Sequence, residues 1–174
     1  MRKIRLSAML ILLAVLLSGC IVNPYKSGME ALEGGQYKEA AKQFREAVKK
    51  EQNKADAYRG LGLALWETKD YAGAKEAFLA ALKEGSEKTG TVCNLLGSCE
   101  LEEGNLKEAI AYFEEGLKAE DVSDELRKAM RYNCIYAREN LGDIEKAKSL
   151  LGEYTADYPE DEEAAKEAEF LETR

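Results

Sequence analysis

The chain has 174 residues, 45% of them hydrophobic, and sets 33 acidic side chains against 25 basic ones for a formal net charge of −8. It contains no histidine, which removes the commonest general base and metal ligand and with it most Ser-His and Cys-His nucleophile schemes. The acidic balance excludes the basic stripe that a nucleic-acid binder needs, and only two prolines occur, as expected of a mostly helical chain.

Residues 1–22 come first, and they are leader rather than fold. Met1-Arg2-Lys3-Ile4-Arg5 supplies positive charge, and Leu6 to Leu17 is an apolar run of signal-sequence length, short for a membrane span. Leu17-Ser18-Gly19-Cys20 follows. This quartet resembles the bacterial lipobox, in which lipid joins the Cys thiol and the preceding peptide is removed. The resemblance implies a signal peptide over 1–19, a lipidated Cys20 at the mature N-terminus, a short tether over 20–23 and an extracytoplasmic chain anchored to a bacterial membrane. An ordinary signal peptide ending in Cys and an uncleaved anchor are the alternatives. Several acyl chains, at about 0.8 kcal/mol per buried CH₂, would hold such a protein firmly. Without the leader's three basic residues, 22 basic side chains face 33 acidic ones, a net charge of −11. A body of that charge should not lie on anionic lipid.

Beyond the tether, the chain reads as a single domain over 24–174. Tyr25 to Glu33 and Tyr37 to Lys50 read as the first pair of helices. The next stretch, from Asp56 to Ala81, sets the pattern. Tyr58, Leu61, Gly62 and Leu65 fall at helical spacing, then Ala74, Ala77, Phe78 and Ala81 do so again. Thr68-Lys69-Asp70 between them is too short for anything but an antiparallel hairpin. The motif recurs along the chain. Gly28, Gly62 and Gly97 are equivalent, as are Ala40, Ala74, Ala109 and Ala147, and as are Phe44, Phe78, Phe113 and Leu151. A period of about 34 residues is the mark of stacked helical hairpins. Gly35, Gly104 and Gly142 share one place near the turn, where the end of a first helix calls for positive φ, and Lys69 takes that place in the second copy. In the fourth copy Ile135 stands where Gly is expected. Its first helix therefore packs less closely, or the register shifts, with the extra residues in the acidic segment Glu120 to Glu125 and Ser123 or Asp124 capping the next helix.

These recurring positions together resemble the tetratricopeptide repeat family, over roughly residues 21–159. The resemblance implies an all-α, right-handed α-solenoid of about four hairpins, over about 21–54, 55–88, 90–123 and 124–159. Glu160 to Thr173, highly charged with acidic residues at its N-terminus, reads as a C-terminal capping helix over 160–173.

The resemblance also implies a function, because the concave groove of the family is lined by first-helix residues. The matching positions are Tyr25, Met29 and Leu32; Arg59, Leu63 and Trp66; Asn94, Ser98 and Leu101; and Tyr132, Tyr136 and Glu139. Aromatic, Met and Arg residues are typical contact anchors, although several also read as packing between neighbouring first helices. Some family members hold a terminal carboxylate with Lys and Asn here. Tyr, Met, Leu and Ser predominate instead, which suits an extended or helical partner segment. No catalytic constellation, metal site or cofactor is expected, and neither a small-molecule substrate nor nucleic acid is an expected partner. The expectation is a membrane-anchored adaptor that binds another protein. The alternatives are a self-associating structural module and a cysteine-based redox or metal protein. Cys93 and Cys99 lie on one helix about 120° and about 9 Å apart, out of disulfide reach. Any bridge must involve Cys134. A Cys99–Cys134 pair is geometrically open beside the reading of three buried core thiols.

Overall fold

The structure is a computed structural model that describes residues 23–120 and 122–173. Among these residues there are nine α-helices and no strand. They are α1 (Pro24–Glu33), α2 (Tyr37–Lys49), α3 (Lys54–Glu67), α4 (Tyr71–Lys83), α5 (Gly90–Glu102), α6 (Leu106–Gly116), α7 (Asp124–Leu141), α8 (Ile144–Asp157) and α9 (Glu162–Glu172). Helices α1 to α8 pair into four hairpins, and α9 packs against α8. The arrangement is an α-solenoid.

Side-chain caps start several of the helices. Asn23 Oδ1 accepts from the Tyr25 and Lys26 amides at 3.0 and 3.3 Å, with Pro24 at the first helical position, where its missing N–H costs nothing. Ser123 Oγ accepts from the Leu126 amide at 3.2 Å and starts α7, as the acidic segment predicts. The first helices all end alike. Gly35, Lys69, Gly104 and Gly142 have φ of 70°, 62°, 78° and 85°. The next amide in each copy then reaches back five residues to a carbonyl: Gln36 to Ala31, Asp70 to Leu65, Asn105 to Glu100 and Asp143 to Arg138, at 2.8–2.9 Å. One left-handed residue thus satisfies the last carbonyls and reverses the chain in every hairpin. Lys69 takes that conformation despite its Cβ.

Glycine and phenylalanine set the distance within each hairpin. A Cβ on Gly28, Gly62 or Gly97 would come within 2.5–2.8 Å of the ring of Phe44, Phe78 or Phe113 respectively. All three rings are at most 1% exposed. In the fourth hairpin the bulk is exchanged: Ile135 takes the glycine place, Leu151 takes the phenylalanine place, and both are buried in one cluster with Ala147. The register therefore holds through the wider spacing. The added residues fall between Gly116 and Asp124, where α6 ends without the left-handed residue that follows α2 (Glu51) and α4 (Gly85).

The core runs continuously through α1–α5 around Phe44, Phe78 and Leu96. A second cluster joins α6 to α7 around Phe113, Met130 and Cys134. A third joins α7, α8 and α9 through Ile135, Leu151, Tyr154, Ala164 and Leu171. One polar network lies between the second and third hairpins. Lys75 of α4 bonds both Glu100 of α5 and Glu103 just after it, and Glu100, 7% exposed, also accepts from Asn105 Nδ2 at 2.7 Å. Each buried charge there has a partner.

Candidate protein-binding surface

The first helices, α1, α3, α5 and α7, carry every side chain that the sequence assigns to the groove, and the structure separates these side chains into two groups. Tyr25, Met29, Leu32, Leu63 and Trp66 are half-buried against the first core cluster. The Tyr25 ring lies 6.1 Å from that of Phe44, and Trp66 meets Tyr71 edge-on at 4.8 Å and 60°. Asn94 and Ser98 are half-buried, and Leu101 packs on the second cluster. The Asn94 side-chain oxygen is buried with no partner among the described residues. Tyr132 leans on Tyr154 at 5.6 Å. These residues hold neighbouring helices together with one side and present only an edge to solvent. Arg59 and Tyr136 are the exposed members. Among the described residues Arg59 pairs with Asp56 of its own helix, at 3.0 Å, and Tyr136 is 52% exposed.

Sequence reasoning placed the C-terminal helix but missed the polar network that joins its start to α7 and α8. Asp161 caps α9 by accepting from the Ala164 amide at 3.2 Å, accepts from the Tyr154 hydroxyl at 2.9 Å, and pairs with Lys128 at 3.1 Å. The Ala164 amide, the Tyr154 hydroxyl and the Lys128 ammonium hold its carboxyl below the usual range. Lys128 stacks over Tyr158 at 5.2 Å, and Arg131 lies 5.7 and 5.5 Å from the Tyr154 and Tyr158 rings while pairing with Asp157 at 2.7 Å. The helix-capping pattern at Asp161 was legible. Its partners on α7 and α8 were not.

Tyr132 stands between two clefts. One, of about 200 Å³, lies between α7 and α9 and is lined by Tyr132, Ile135, Tyr136, Glu139 and Glu167. The other, of about 350 Å³, is bordered by Glu125, Lys128, Tyr154, Asp161 and Glu163. Burial, followed by the negative field of Glu167, Asp161, Glu139 and Glu163, raises the Tyr132 hydroxyl above its ordinary pKa.

Cys93, Cys99 and Cys134 are all buried and none is in a disulfide, so the Cys99–Cys134 bridge that the sequence left open is not formed in this structure. Each is sequestered in its own surroundings: Cys99 packs in the cluster of α1–α5 and Cys134 in that of α6 and α7. Burial, with the charges of Glu103 and Glu100, pushes the Cys99 thiol up to about 12, and burial raises Cys134 as well. A thiolate is the reactive form, so these are poor nucleophiles. Among the described residues, no group of three His, Cys, Asp or Glu could hold a metal ion, and no helix is long and apolar enough to cross a membrane. Cys20 lies outside the described residues.

Stacked helical hairpins with a glycine–phenylalanine seam and a row of partly exposed first-helix side chains define a helical-repeat protein of the interaction-module class. The chain belongs to the tetratricopeptide repeat family, whose profiles match residues 25–89 and 95–168. No functionally curated sequence matches it significantly. Among solved structures it is similar to YrrB, described as a TPR protein with an unusual peptide-binding site, at TM-score 0.72 and 21% identity over 86% of this chain and 75% of that one. It is also similar to MamA from Desulfovibrio magneticus RS-1, at TM-score 0.72 and 20% identity over 84% and 80% of the two chains. A third is a TPR repeats protein from Bacteroides fragilis, at TM-score 0.56 and 22% identity over 76% and 60%. At these identities the likeness establishes the shared fold.

Proposed function

We propose that this chain is a lipid-anchored, extracytoplasmic adaptor that catalyses nothing and binds a segment of a partner protein along its first helices. The observation that carries this reading is the row of aromatic, aliphatic and Arg side chains on successive first helices, ending in Tyr136 at 52% exposure. Rigid aromatic surface of this kind contributes contact area at little entropic cost. Family membership and the peptide-binding description of YrrB favour the same reading. The anchoring rests on Leu17-Ser18-Gly19-Cys20 and on the basic and apolar run before it.

The test is capture from membranes of the native cell, with the lipidated chain as bait and the variants chosen for exposure. Arg59→Glu with Tyr136→Ala should lose the partner while helix content is retained, because neither side chain belongs to the core. Cys20→Ala should release the chain from the membrane fraction. Equal recovery of the partner by the double variant would move the binding site off this face, and self-capture alone would favour a self-associating module. A Cys20→Ala chain that stayed in the membrane would remove the anchor.

A further inference from the structure

Resting on that reading, we infer that the cleft between α7 and α9 is a cation-accepting pocket, and that the partner segment places an Arg or Lys side chain in it, against Tyr132 and Tyr136 and between Glu139 and Glu167. The cleft holds about 200 Å³ and is lined by two tyrosines, one isoleucine and two carboxylates, with no cation among the described residues of its wall. Glu167 forms no ion pair among the described residues. The basic residues of α7 are engaged elsewhere: Arg127 donates to the Leu117 carbonyl at 3.3 Å, Lys128 pairs with Asp161 and Glu160, Arg131 with Asp157, and Arg138 with Glu114 and Asp143.

The walls suit a guanidinium or ammonium group for two reasons. The electron-rich ring faces attract a cation, and a carboxylate gives a charge-assisted hydrogen bond. The two tyrosine rings, with Ile135 beside them in the lining, supply apolar surface for the methylene stem. The field is already concentrated there, since Glu167, Asp161, Glu139 and Glu163 all act on the Tyr132 hydroxyl. At longer range, a mature chain of net charge −11 steers basic partners toward itself and repels acidic ones. The pocket therefore supplies charge selectivity to a groove that is otherwise mainly aliphatic and aromatic.

The test uses the full chain and three fluorescein-labelled peptides built on one leucine–alanine frame, carrying arginine, its neutral isostere citrulline, or glutamate at the same places. Fluorescence anisotropy should find the arginine peptide bound about tenfold more tightly than the citrulline one, a preference that shrinks in high salt. Glu139→Gln with Glu167→Gln should cut the preference to about twofold without weakening the citrulline peptide, and Glu167→Lys should abolish it. Circular dichroism checks that both variants keep their helices. Equal binding of the arginine and citrulline peptides, tighter binding of the glutamate peptide, or a preference that survives Glu167→Lys would overturn the pocket. If arginine and citrulline peptides bound equally and both weakened with Arg59→Ala on α3, the pocket would fail while the groove stood. No binding of any peptide to the unaltered chain would count against both.

Discussion

Gly60 of α3 lies against the ring of Phe44 of α2, so that a Cβ on Gly60 would come 2.6 and 2.7 Å from the ring's Cε1 and Cε2. A Cβ on Gly28, within the first hairpin, would meet the same ring at 2.8 Å. Phe44 is 0% exposed. One ring held between two glycines therefore fixes both the closure of the first hairpin and its stacking on the second, and it has no free side toward which to move.

Gly60→Ala should accordingly destabilise the chain by about 1–3 kcal/mol through overpacking, despite alanine's better helix propensity. Gly152, inside α8, offers the control, because nothing lies within 4 Å of the position its Cβ would take. Gly152→Ala should stabilise by about 0.5–1 kcal/mol. Urea denaturation of the two variants beside the parent reads both signs, and a neutral Gly60→Ala would mean that the seam between hairpins is looser than this geometry.

The three body thiols should resist alkylation at pH 8 in the folded protein and react once it is unfolded, as peptide mass spectrometry of iodoacetamide-treated chain would report. Cys99 also leaves a signature in the pH dependence. Its folded pKa, about 12, stands above the ordinary 9.0, so the folded state keeps the proton that the unfolded state gives up. Its contribution to stability is fully present below pH 9 and is lost as pH rises from there toward 12. Cys99→Ala should flatten this part of the stability curve. An unchanged slope would assign the alkaline loss to other groups, among them Tyr154, whose hydroxyl is raised by burial and by its bond to Asp161.

Asp161→Ala should cost about 1–2 kcal/mol at neutral pH, through loss of the α9 cap, and should leave the Tyr154 hydroxyl and Lys128 without this partner. The Asp161 carboxyl is depressed below its ordinary 3.8, so its contribution is present above about pH 4 and is lost as pH falls through the folded value. The difference in urea midpoint between parent and variant should therefore be large at pH 7 and shrink in strong acid. A difference that stayed constant with pH would show that the carboxylate charge plays no part.

The sequence by itself determined the hairpins, their period, and the residues at which they turn and touch. Those features are local or nearly so: an amphipathic stripe, a left-handed residue after a helix, and a glycine sixteen residues before the phenylalanine it meets, as with Gly28 and Phe44. Even Lys69 could be placed at a left-handed position by comparison with Gly35, Gly104 and Gly142, because each hairpin solves the same backbone problem. What the tertiary structure alone decided is how much of each first-helix side chain remains outside. Tyr132 and Tyr136 occupy the same helix one turn apart, yet the first is wedged against Tyr154 and the second stands half in solvent. The acidic cleft beside them needs Glu167, which reaches Tyr132 only because α9 folds back onto the last hairpin. Exposure and electrostatic field depend on which surfaces are covered by residues remote in the chain, and no periodic pattern encodes that covering.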